Sequence, residues 1–471
     1  MKKINILGIV LIICIIALVG FFAFTNHNQI GSSEKIIDVN ALNEKGIVKL
    51  ENQSKEESNG IFTSTKSDEN SVFLNKSSIL KLTKSLINKT GDTATSGDAA
   101  DFYGVNSAVL VKDKSQLTIE DCEIVTDSKG SNGIFVTNTD TGQGQGGAGG
   151  APPDNGGTAP EKPPEQMKTA KSSDETTANI KNVKITTHKD KSRGLDATFG
   201  GIINAKNIEI NTDGNSCAGL ATDRGEGNVT VTDSIINTGV NKETGRGSPI
   251  IYSTGNITLS NSKGTSYVSQ IACIEGKNSI TLDNSNLVGF GEGNRKDGDN
   301  YVDLAGIFIY QSMSGDADVG TSHFDCKNSE LSIDSSSKYY DQIPMFHVTN
   351  TKANINLESS KFNFGSGKLF DISSQNQWGN SASNGGHVNL TSSNEDLKGD
   401  IIVDSISSLN FTLKSKTFEG AIKSSGNTHV TIDKDATWTL TEDSNITSLQ
   451  NSGKINLNDH KLLVNGKEYK G

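Results

Sequence analysis

Hydrophobic and polar residues alternate along this chain in short bursts, and the bursts recur. In LTIEDCEIVTD (117–127) the alternation runs through Leu117 and Ile119, changes phase at Asp121, and resumes with Cys122. Shifted copies return as NIKNVKITTH, KNIEINTD, VTVTDSIINTG and ITLDNSNLVGF. Aligned on the Asn or Asp that follows each alternating stretch, the register holds at Asp121, Asn182, Asn207, Asp233, Asn261, Asn284 and Asn328, and Ser359 and Ser392 continue it. Period-two alternation predicts strands with one buried face. Asn and Asp tolerate the left-handed backbone region and bond their own main chain, so each marker predicts a bend. The residue after it (Cys122, Val183, Ile208, Ser234, Ser262, Ser285 or Ser329) is small or apolar and should point inside.

A second column of strands precedes the first, in GIFVTN, GLDATF, GLATDR, PIIYST, ACIEGK, GIFIYQS and MFHVTN. Its members Leu195, Leu220, Ile250, Cys273, Ile307 and Met345 lie 25, 30, 23, 34 and 38 residues apart, which suits a rung of twenty-odd residues with loop insertions. Helical repeats would need apolar spacing of three and four over ten or more residues, and none occurs outside the first 25 residues. A propeller would need four strands per blade. Two or three short strands per rung predict a parallel β-helix over 59–471. Residues 141–166 hold five of the seven prolines, a density that cannot join a ladder, so 139–176 is expected to be a disordered loop between rungs.

Lys2 and Lys3 precede an uncharged, almost wholly apolar run, 4–25. A bilayer span needs roughly 20 apolar residues, more than the core of a secretory signal, so 1–26 is expected to be a signal anchor and transmembrane helix. The lysines should stay cytoplasmic, which makes this a single-pass cell-membrane protein with its bulk extracellular. A long cleaved leader is the alternative. The polar segment 27–58 is expected to be a stalk or cap.

Composition fits a thin column better than a thick core: 33% of residues are hydrophobic and 49 are glycine. A net charge of -11 with no basic stripe excludes nucleic acid as a partner. Cys122, Cys217, Cys273 and Cys326 are far apart and show no zinc spacing, so they are expected to be small buried hydrophobes.

The phrases SRGLDATFGG, GLATDRGEG, SPIIYSTGNI, IEGKNSITL, GIFIYQSMSGDA and PMFHVTNTKANINL resemble those of bacterial exported right-handed parallel β-helix proteins of the adhesin-like type, over roughly 59–450. The closing WTLTEDSNITSL resembles autotransporter-passenger repeats, although no barrel segment follows it and self-transport is not implied. The resemblance implies an all-β, right-handed solenoid at the cell surface more firmly than it implies an activity.

β-Helices also include polysaccharide lyases and glycoside hydrolases, which set acidic and basic residues of neighbouring rungs in one stripe. Asp196, Asp223, Arg224, Glu275 and Lys277 are the catalytic candidates on the second column, and Arg193, Tyr252, Tyr310 and Gln311 the ligand-binding ones. A solvated charged face is the competing reading. Calcium is a candidate cofactor through Asp297, Asp299, Asp303, Asp316 and Asp318 in two Asp-rich turns, though neither matches the twelve-residue calcium loop. Tyr252, Tyr310, Trp378 and Trp438 are candidates for stacking on sugar rings. Without a complete catalytic constellation, the leading expectation is a surface module that binds glycans or a surface protein. A polysaccharide-cleaving enzyme and a purely structural surface protein are the alternatives.

Overall fold

The computed structural model describes residues 39–95, 97–138 and 175–470. The expected signal anchor and residues 139–174 of the Gly/Pro-rich segment lie outside the described residues. Among the described residues, no helix is long and apolar enough to cross a membrane.

The described residues are all-β apart from one short α-helix and a 3-10 turn, Val39–Ala41, and form a parallel β-solenoid. One ladder of 16 strands makes the first face; a ladder of 25 strands, creased lengthwise, makes the second and third. Each rung visits the three faces in turn, as in Leu195–Thr198, Ile202–Lys206 and Glu209–Thr212. Like pairs with like: Leu117 stands opposite Leu80 on one side and Ala178 on the other. The inward residues merge into one apolar column from Val48 to Leu462. The polar segment expected as a stalk or cap supplies the first rung, because Val48 pairs with Val72 and Ser54 with Ile79. The segment at 139–174 is inserted within one rung, after Ile134–Thr137 and before Thr177–Thr187, and the Thr176 N–H donates to Asn138 Oδ1 at 3.1 Å.

The crease between the second and third faces lies where the markers predicted it. All seven Asn and Asp markers have left-handed backbone, with φ between 47° and 55°, and Ser359 follows at 52°. Their side chains form a ladder along the edge: Asn182 donates to Asp121 at 2.9 Å, Asn207 to Asn182 at 2.8 Å and Asn284 to Asn261 at 2.8 Å. Behind the crease, from Ile208 through Ser329, the backbone N–H after the corner donates to the serine of the next rung. Ile208 donates to Ser234 Oγ at 3.1 Å, Ser234 to Ser262 at 3.0 Å and Ser285 to Ser329 at 3.0 Å. Cys122 takes the same place toward Ser85 at 3.4 Å, and burial pushes its thiol up to about 12. Cys217 does likewise on another edge, receiving the Ser192 N–H at 3.1 Å. All four cysteines in the described residues are free and buried.

Ser392 departs from the expected register. The second-face strand Gly386–Ser393 runs past it, and the left-handed corner falls on Asn394, φ 57°. The residue behind that corner is Glu395, where other rungs carry serine. Its carboxyl accepts from the Ser360 N–H at 3.1 Å and from Ser392 Oγ at 2.8 Å. Burial raises it to about 7, against the pull of these hydrogen bonds.

Because the unfolded carboxyl ionises near 4.5, the folded form binds more protons between pH 4.5 and 7, and stability falls as pH rises through that window. The loss amounts to roughly 3 kcal/mol at about 1.4 kcal/mol per unit. Urea denaturation at pH 4.5 and 7.5 checks this: Glu395→Gln should flatten most of the slope, and an unchanged slope would exclude Glu395 as its source.

Candidate functional site

Strands of a solenoid surface should alternate buried and exposed, as on the second face. On the first face, Ile134–Thr137, Leu195–Thr198, Ala272–Glu275, Ile307–Tyr310 and Phe346–Thr349 are buried at every position. Something covers their outer side. The cover consists of the helix Gly97–Tyr103 and the turns that follow the first-face strands or lead into them. Beneath it lies a second apolar cluster of Cys273, Val302, Ala305, Phe308, Tyr310 and Trp378, with Tyr252 packed against it. The cover leaves a cavity of about 370 Å³, a size ordinary for small-molecule sites.

One wall is aromatic. Phe308 stacks on Tyr310 with ring centroids 4.6 Å apart, and Trp378 lies 5.3 Å from Phe308 and 5.1 Å from Tyr310. The tyrosine hydroxyls of Tyr252 and Tyr310 donate to Glu275 Oε2 at 2.7 and 3.0 Å, and Ser312 Oγ donates to its other oxygen. Burial, reinforced by Asp316, raises Glu275 above the ordinary carboxylate range although these three donors favour its charge.

The other wall is ionic. Arg193 Nη1 donates to Asp101 at 2.9 Å, and Arg193 Nε lies 2.5 Å from Asp223 and 3.7 Å from Asp196. Lys191 donates to the other Asp101 oxygen at 2.9 Å. Burial raises Asp101, but Arg193 and Lys191 outweigh it and hold that carboxyl below the usual range. Asp196 is fully buried behind the arginine. Burial and then the charge of Asp223 push it well above the carboxylate range, and burial raises Asp223 too, against the pull of Arg193. Arg224 pairs with Asp316 and lies 3.7 Å from the Phe102 ring centre.

The fold therefore brings together Arg193, Asp196, Asp223, Arg224, Tyr252, Glu275 and Tyr310, which span 118 residues of chain, at most four rungs apart along one face. Arg193, Asp223, Tyr252, Tyr310 and Trp378 line the cavity; Asp196 and Glu275 lie outside its lining. Three candidates have other roles. Lys277 turns outward to ion pairs with Glu226 and Asp318, Gln311 braces its own turn by donating to Ser312 and Ala317 carbonyls, and Trp438 is in the solenoid core, bonded to the Gly420 carbonyl at 2.9 Å.

The five aspartates proposed for calcium are not gathered. Asp297 and Asp299 sit exposed in a hairpin, Asp316 and Asp318 are ion-paired, and Asp303 accepts the N–H groups of Asn294 and Arg295. No cluster of three or more metal-ligating His, Cys, Asp or Glu occurs among the described residues. Asp101 and Phe102 carry no strand pattern and escape a reading based on alternation. Their signal is the interruption itself, GDAADFY, the only helix of the described residues with more than one turn.

No family model, curated protein or solved structure matches this chain significantly.

Removing Arg193 leaves buried Asp223 without its cation and Asp101 with Lys191 alone, so Arg193→Met should cost about 3–5 kcal/mol. Asp196→Asn, which replaces a carboxyl that burial and Asp223 push toward its neutral form, should cost under about 1 kcal/mol. Thermal unfolding of both variants decides the matter, and equal losses would mean that Asp196 is ionised in the folded protein.

Proposed function

We propose that this chain is a membrane-anchored surface protein whose solenoid presents a glycan-binding cavity. Residues 4–25 are its signal anchor, the bulk of the chain is extracellular, and the solenoid is a right-handed parallel β-helix of the adhesin-like type. Right-handed crossovers between parallel strands are overwhelmingly favoured, which supports that hand.

The observation that carries the reading is the juxtaposition in one cavity of Tyr252, Phe308, Tyr310 and Trp378 with the ionic cluster around Arg193. Sugar rings offer apolar C–H faces to aromatic side chains and hydroxyls to charged ones, so such a two-sided cavity suits them. The ion pairs are complete without a ligand, which favours binding at a preformed surface over covalent chemistry. Binding of the full chain in detergent to an array of bacterial and plant glycans tests this. Trp378→Ala should weaken the best glycan at least about tenfold, at 1.4 kcal/mol per decade, and an array with no binding would leave a structural role.

A second reading rests on the Asp196–Asp223 pair. A carboxyl pair that holds one proton beside a cavity is a source of acid–base catalysis, and would serve a polysaccharide lyase or hydrolase. New reducing ends or unsaturated products from the bound glycan, abolished by Asp223→Asn, would establish it; intact polymer after prolonged incubation would exclude it.

A further inference from the structure

Most charged groups of the cavity are already committed. Arg193 serves Asp101 and Asp223, Arg224 serves Asp316, and Glu275 is saturated by two tyrosines and a serine. Arg295 differs. It lines the cavity, and its guanidinium makes no ion pair or hydrogen bond among the described residues, although burial opposes its charge and nearby Tyr310, Tyr252, Glu275 and Asp303 favour it.

Its main chain, in contrast, is fixed. The Asp303 carboxylate is buried and accepts the N–H of Asn294 at 2.9 Å and of Arg295 at 3.1 Å, and the Arg295 carbonyl accepts from Val302 at 3.0 Å. Gly293 makes the clasp feasible, because a Cβ there would sit 1.8 Å from Asp303 Oδ1. An unpaired arginine on open surface means little. One whose backbone is held by a buried aspartate at the rim of a cavity is an anchored donor waiting for an acceptor. Lys191 adds a second cation to the same lining; its side chain is 41% exposed and Asp101 is its ion-pair partner.

Resting on the glycan reading above, we infer that the ligand is an acidic polysaccharide, and that Arg295 holds the carboxylate of a uronic-acid residue whose ring packs on the aromatic wall. The planar guanidinium offers parallel N–H donors that match the two carboxylate oxygens, whereas a neutral sugar would leave those donors without a charged acceptor in contact. The aromatic wall, a few side chains away, supplies the apolar surface for the ring.

The test is calorimetric binding of the full chain to uronate oligosaccharides of several stereochemistries, to the methyl esters of the same oligosaccharides, and to a sulfated neutral oligosaccharide. Wild type, Arg295→Gln, Arg295→Lys and Trp378→Ala are compared. At least one uronate should bind, and esterification or Arg295→Gln should each weaken it about tenfold or more, since a charge-assisted bond is worth roughly 1.5–3 kcal/mol. Arg295→Lys should lose less, and thermal stability should be unchanged because no partner is lost. Trp378→Ala should weaken acid and ester alike. Equal affinity for acid and ester, or wild-type affinity in Arg295→Gln, would overturn the inference while leaving the glycan reading in place. Preference for the sulfated chain over every uronate would overturn the carboxylate assignment. Absence of binding to any of them, with the glycan array also blank, would overturn both readings.

Discussion

The left-handed corner between the second and third faces is the constraint on which this solenoid depends. A non-glycine residue pays about 1–2 kcal/mol for left-handed backbone, and asparagine and aspartate pay least. Here that cost recurs rung after rung, at Asp121, Asn182, Asn207, Asp233, Asn261, Asn284 and Asn328. Two sets of bonds between rungs offset it. Side-chain amides link the corners outside, and at most bends a small hydroxyl or thiol side chain inside accepts the N–H turned away from the strand ladder. The corner thus converts a local strain into a lengthwise bond, and a chain poor in hydrophobic residues becomes an ordered column.

Fixed corners fix phase, and phase places the site. Phe135, Asp196, Ala221, Tyr252, Cys273, Phe308 and His347 stand in register on one rank of the first face. All of them point away from the core that Leu195, Leu220, Ile251 and Ile307 occupy on neighbouring positions. Aromatic rings on that outer rank require cover, and buried carboxylates beneath the cover require cations. The helix with Asp101 and Phe102, the arginines and the satellite cluster are each answers to that requirement. Lys277 lies two residues past Glu275, beyond the covered strand, and stays in solvent.

The repeat was legible because alternation and corner residues report local geometry, which sequence encodes directly. The seven markers are individually readable for that reason, whereas the expected corner at Ser392 falls instead on Asn394 because the strand before it is longer. The site was legible in part. Column positions brought Arg193, Asp196, Asp223, Tyr252, Glu275 and Tyr310 onto one face, but nothing in the column says whether that face is covered. A signal was present: IFVT, ACIE and IFIY are near-continuous apolar runs, the pattern of strands buried on both sides. Asp101 and Arg295 come from insertions whose return path depends on tertiary contacts, and Asp303 looked like a calcium ligand because a turn clasp and a metal loop draw on the same residue type.

The corner can be tested apart from the site by substitutions at Asn207. Glycine adopts left-handed backbone freely but cannot continue the amide ladder, whereas valine is excluded from that conformation and lacks the amide as well. Hydrogen exchange across 195–238 in Asn207→Gly and Asn207→Val separates the two contributions. The corner account expects protection close to wild type in Asn207→Gly and broad loss in Asn207→Val, spreading to the rungs above and below. Equal protection in the two variants would show that backbone handedness at the crease is not what holds the column together.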